Sequence, residues 1–164
     1  MYPLSSHYSD RLKLKPMSLK NLYLREMHIA LQGAGQYHTD GVLAESEVDS
    51  LPAGMQRYLM HCGYIGHRKA HNMLIYYKDA AIKLKPEKDW LPLQCEQFNT
   101  IHPPTRLALM QSRMMGLIPF GARDKYQRGS GNMRIQLAGL TLSDARGEKM
   151  DLAALVTYLA ETPL

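Results

Sequence analysis

Cysteine is scarce. The two in this chain of 164 residues, Cys62 and Cys95, form neither a CxxC pair nor a disulfide-framework spacing. A disulfide-stapled scaffold is therefore excluded, and reduced thiols in a cytoplasmic protein are expected. Two Phe and one Trp are too few for the aromatic-rich strand of an RNA-recognition motif. No apolar run approaches the ~20 residues needed to cross a bilayer. The basic start, apolar stretch and small-residue cleavage site of a secretory leader are also missing. Gly129 and Gly131 flank Ser130, but no Gly-Lys-Ser/Thr opens a helix after them, which removes the Walker phosphate loop. A G-x-S-x-G nucleophile elbow is absent too, so Ser130 reads as a turn residue.

What is present is an ordinary globular composition, 45% apolar and 21% charged, in a length that suits one main domain with its own core. The net charge of +5 is unevenly held. Residues 1–50 carry five Lys or Arg against six Asp or Glu, a balance of −1, and residues 51–164 carry fifteen against nine, a balance of +6. A positive field of this size attracts phosphate-bearing partners but serves solubility equally well.

Ser18 is the expected N-cap of a helix over residues 19–32, LKNLYLREMHIALQ, which the glycines of QGAGQ end. Ser50 is a second candidate cap. Pro52 then falls in the first turn of a short helix whose stripe of Leu51, Met55, Tyr58, Leu59 and Cys62 stops at Gly63. From about His71 the apolar period changes from 3.6 to 2. NMLIYYKDAAIKLKP reads as a long strand with a bend or bulge at Asp79, and WLPLQCEQF pairs with it across the turn PEKD. TRLALMQSR, after Pro103 and Pro104, reads as a strand covered on both faces. Met133, Ile135 and Leu137 alternate with Asn132, Arg134 and Gln136 in a further strand, entered through the Gly129-Ser130-Gly131 turn. The last element, DLAALVTYLAE, takes Asp151 as N-cap and offers Leu152, Leu155, Val156 and Leu159 as the stripe that covers the sheet.

The expected fold is α+β: N-terminal helices, a curved antiparallel sheet of four or five strands over residues 70–145, and a C-terminal amphipathic helix packed on it. Residues 1–50 are read as a helical or partly disordered extension and residues 51–164 as the domain proper.

Four phrases in order, LPAGMQRYL (51–59), WLPLQCEQF (90–98), ARDKYQRGSGNMRIQLAGL (122–140) and GEKMDLAALVTYLAE (147–161), carry a resemblance. Together they resemble an uncharacterised bacterial family known only as a domain of unknown function, in which a short helix precedes a run of antiparallel strands. The resemblance covers about residues 45–161. It implies no activity, cofactor or catalytic residue. It does imply a strand-rich pattern similar to the open sheets of bacterial lipoprotein carriers, which hold acyl chains between a sheet and a covering helix. The resemblance also implies further strands after the last helix, so the chain is expected to be C-terminally truncated relative to the family. A C-terminally truncated form would leave an unpaired sheet edge, at the strand 132–140 or the one at 105–113, open to self-association.

His61, Cys62, His67 and His71 are metal-ligand types, but the paired-Cys, paired-His spacing of a zinc site is absent. They are read as loop histidines beside a Cys on a buried helix stripe, and no cofactor is expected. Tyr76, Lys78, Lys83 and Arg134 could form a basic face with aromatics, and a solvated sheet face explains them better, so nucleic acid is an unfavoured partner. If the domain has a polar site, Glu96, Gln97, Arg123, Asp124 and Tyr126 are its candidate residues. The expected function is non-enzymatic binding of an apolar or amphipathic, lipid-like ligand between sheet and helix. Weak nucleic-acid or anionic-surface binding and hydrolysis follow in that order.

Overall fold

The computed structural model describes residues 17–35 and 41–161. Six strands, β1 (Asn72–Ile82), β2 (Leu91–Thr100), β3 (Thr105–Met114), β4 (Ile118–Gln127), β5 (Ser130–Leu137) and β6 (Leu140–Ala145), pair antiparallel in simple sequence order. This corrects the expected four or five. The two strands that alternation does not reveal are β4 and β6. β4 is covered on both faces, so Arg123, Asp124 and Lys125 stand in a row without a polar–apolar rhythm. In β6, Leu140 and Leu142 are 71% and 63% exposed, the reverse of what their hydrophobicity suggests. Their placement follows from β5 ending in an Ala138-Gly139 turn with positive φ at both residues. The expected bulge near Asp79 is present, because the β1–β2 register shifts between Tyr77 and Ala80.

In an antiparallel ladder, directly opposed residues share a face. Phe98, Leu107, Leu109, Arg123, Lys125 and Asn132 therefore lie on one face, and Gln97, Arg106, Asp124, Tyr126 and Gly131 on the other. The helix α1 (Leu19–Ala34) covers the first face, packing Leu19, Tyr23, Met27 and Ala30 on Phe98, Leu107 and Leu109. Its start is as expected: the Ser18 Oγ accepts the Asn21 N–H at 3.2 Å. The short helices α2 (Glu45–Val48) and α3 (Ala53–His61) precede β1. Pro52, not Ser50, is the N-cap of α3, and the Ser50 hydroxyl donates to the Glu47 carbonyl. α3 buries Leu59 alone, so Cys62, expected on a buried stripe, is exposed.

The helix α4 (Glu148–Glu161) covers the second face, but of the expected stripe only Leu155 packs there, partly buried against Tyr126, Ala154 and Tyr158. It buries Ala154 and Tyr158, while Leu152, Val156 and Leu159 are 62%, 58% and 65% exposed. The physical reason is close approach. Gly131 has no side chain, and a Cβ placed there would lie 2.4 Å from the Met150 carbonyl oxygen. A helix pressed this near the sheet seats its small Ala154, not a leucine, over the strand. Tyr158 then stacks on Tyr126, ring centroids 5.2 Å apart, and its hydroxyl donates to the Thr100 carbonyl at 3.1 Å. The helix starts before Asp151, whose Oδ1 accepts the Gly131 N–H at 2.7 Å and so ties helix to sheet instead of capping.

The sheet edges are β1 and β6. The strands near 105–113 and 132–140 are interior, each paired on both sides, which corrects where an unpaired edge was expected.

Candidate functional site

On the α4 face, Arg106 is 7% exposed and bridges two carboxylates. Its Nη1 donates to Asp124 at 2.6 Å and its Nε to Glu161 at 2.6 Å. Gln97 donates to the Glu161 carboxylate at 2.8 Å, and Asn99 to the Glu161 backbone carbonyl at 3.1 Å. Burial disfavours the guanidinium charge, but hydrogen bonds and proximity to Glu161 and Asp124 outweigh it and raise the Arg106 pKa. Cys95, half-buried next to this group, has its thiol pushed up by burial. The cluster is a satisfied latch holding the end of α4 to the sheet.

On the α1 face, Arg123 is 3% exposed and donates to the Asn132 side chain at 2.6 Å. Glu26 of α1 lies 3.3 Å from Arg123 and 3.2 Å from Lys125. Burial lowers the Arg123 pKa, and Glu26 partly offsets that. Asn132 passes the chain of contacts to Asp144, which also binds Arg134 and Arg146. The hydrogen bond from Arg134 leads in holding the Asp144 carboxyl well below the usual range. Tyr23 is fully buried, and burial together with the neighbouring Glu96 carboxylate pushes its hydroxyl well above the ordinary tyrosine value.

The candidate residues therefore divide between faces. Gln97, Asp124 and Tyr126 gather beneath α4, whereas Glu96 and Arg123 lie under α1. Residues adjacent in sequence on a strand point oppositely, which separates Arg123 from Asp124. Arg106, Asn99 and Glu161 complete the first group. Glu161 lies in a helix far along the chain, so strand spacing carries no signal for it. His61, Cys62, His67 and His71 form no metal-holding group, and among the described residues no three His, Cys, Asp or Glu do so. Tyr76 and Arg134 sit on β1 and β5, with three strands between them, and Arg134 is already paired with Asp144.

A sizeable cleft lies elsewhere among the described residues. At the end of the sheet where β1 finishes and β2 begins, a cleft of about 690 Å³ lies among β1, β2, β3 and β4. Its apolar lining includes Ala80, Pro92, Leu93, Pro119 and Phe120, and its polar lining includes Lys78, Gln94, Gln111 and Arg113.

An open six-stranded meander with a helix on each face defines a small α+β sheet domain. The chain belongs to a family of unknown function, DUF6544, whose model matches residues 41–164. Searches of curated proteins and of solved structures gave no match. No helix among the described residues is long and apolar enough to cross a membrane.

Proposed function

We propose that the domain is a non-enzymatic binder of an apolar or amphipathic small molecule, held in the cleft at the ends of β1–β4. The cleft carries this reading. Its volume of about 690 Å³ falls within the ~300–1,000 Å³ typical of ligand sites. Leu93 and Phe120 offer an apolar floor, while Lys78 and Arg113 offer charges that a polar end group could meet. The charged residues elsewhere support the same reading from the opposite direction. Arg106, Arg123, Lys125 and Arg134 are engaged in internal ion pairs that seat the helices and order the sheet. They are poorly placed for phosphate binding, which weakens the nucleic-acid alternative.

The test is titration of the native protein with a fluorescent fatty acid, alongside the variant Ala80→Phe, which fills the cleft. Binding that falls at least about ten-fold in the variant, a loss of ~1.4 kcal/mol, supports the reading. Equal binding by a variant that melts as cooperatively as wild type, or no binding by either, removes it.

A further inference from the structure

We propose that the end of the sheet bearing the β1–β2, β3–β4 and β5–β6 turns docks onto an anionic lipid bilayer. The proposal rests on the cleft reading for its purpose, since the cleft lies at this same end, but its evidence is separate.

A meander places alternate connections at one end of the sheet, so these three turns lie side by side. Among the described residues, the three most exposed large apolar side chains, Met115 (90%), Leu117 (79%) and Leu140 (71%), are all at these turns. Trp90 and Leu142, each 63% exposed, stand with them. Hairpin positions with positive φ ordinarily take Gly, Asn or Asp. Here Met115 (φ 51°) and Ala138 (φ 49°) occupy such positions. The fold therefore presents apolar groups where backbone preference favours polar ones. At the opposite end, the corresponding place in the β4–β5 turn is held by Arg128 (φ 51°).

Charge complements the apolar tips. Residues 78–89 hold four lysines against three acids, and Arg113 adds a fifth cation, a local balance of +2. The Lys83 ammonium sits over the Trp90 ring, 5.3 Å from its centroid. Apolar tips backed by lysines and an interfacial tryptophan suit a headgroup layer, where the tips insert and the cations meet lipid phosphates. Neighbouring hairpin tips lie about 10 Å apart, two strand spacings. They form an array of separate points and not the continuous flat patch of a protein interface.

Trp90, the one tryptophan of the sequence, reports on this end directly. Its emission is to be followed as the full chain meets phosphatidylcholine vesicles with and without phosphatidylserine, with brominated lipids as depth-sensitive quenchers. The expected result is a blue shift and quenching on the phosphatidylserine vesicles, with affinity roughly ten-fold or more above that for phosphatidylcholine alone. The variant Met115→Asp/Leu117→Asp, which removes only exposed side chains, should lose at least about ten-fold in vesicle affinity. Lys83→Gln/Lys85→Gln/Lys88→Gln should lose the preference for phosphatidylserine. Leu152→Asp/Leu159→Asp on the exposed side of α4 should bind as wild type. No shift with either vesicle overturns the proposal, as does wild-type affinity in the folded tip variant or loss of binding in the α4 variant. Fatty-acid titration without vesicles separates the two readings. Vesicle binding without fatty-acid binding removes the cleft reading and leaves docking, and the reverse removes docking alone.

Discussion

The seat of α4 on β5 yields a sharp prediction, because two effects of one substitution have opposite signs. Gly131→Ala restricts the unfolded chain, which alone stabilises a protein by about 0.4–1 kcal/mol. In the folded state the new Cβ would stand 2.4 Å from the Met150 carbonyl oxygen and 2.8 Å from the Ala154 Cβ. That is about 1 Å inside ordinary contact. Helix and strand must separate, at a cost of about 1–3 kcal/mol for overpacking. The bond from the Gly131 N–H to Asp151 and the Tyr158 hydroxyl bond to Thr100 stretch with the same movement. The steric term wins. Gly131→Ala should lower stability by about 0.5–2.5 kcal/mol net of the unfolded-state gain, or roughly 1–10 °C in melting temperature for a domain of this size. Gly54→Ala in α3 is the control. Nothing lies within 4 Å of its added Cβ, and helix propensity favours it by up to about 1 kcal/mol. Urea denaturation of both variants, with hydrogen exchange on α4, is the assay. A Gly131→Ala protein as stable as wild type, with α4 amides equally protected, would refute the close approach and with it the account of which α4 side is buried.

Removing the guanidinium in Arg106→Met leaves Asp124 and Glu161 uncompensated. Stability should fall by roughly 2–4 kcal/mol, less than for a fully buried pair because the Glu161 side chain is 34% exposed. A loss under about 0.5 kcal/mol in urea would show that the latch is ornamental. Tyr23 is held neutral, its folded pKa above the unfolded value of about 10. Below that unfolded value the shift costs nothing. As pH rises above about 10 the unfolded state loses this proton first, so stability should drop. Tyr23→Phe should match wild type near pH 8 and exceed it near pH 11, and parallel urea midpoints at the two pH values that never diverge would contradict this. Leu152→Gln/Leu159→Gln, on the exposed side of α4, should change stability by no more than about 0.5 kcal/mol per site, and a larger loss by thermal melting would place those leucines in the core.

Local chemistry alone determined a good part of this domain. Ser18 starts α1, Gly63 ends α3, and the change of period near His71 opens the sheet; the end of α1 falls at Gly35 and not at residue 32, because the helix runs on through Gly33 to Ala34. Alternation likewise marks β1, β2, β3 and β5, because each of these facts is written in neighbouring residues. The order of four phrases also pointed to the family that the match over residues 41–164 establishes. Tertiary structure decided the rest. β4 is hidden in sequence because all three of its consecutive charges are paired, Arg123 and Lys125 with Glu26 of α1 on one face and Asp124 with Arg106 of β3 on the other. The α4 stripe misleads because amphipathicity says only that a helix has two sides. Gly131, distant in sequence, selects the small side for burial. The candidate polar residues separate for the same reason: strand neighbours point to opposite faces, and only the helix packed on each face determines what a side chain meets. The cleft among β1–β4 has no local signature at all, since its lining comes from four strands brought together by pairing.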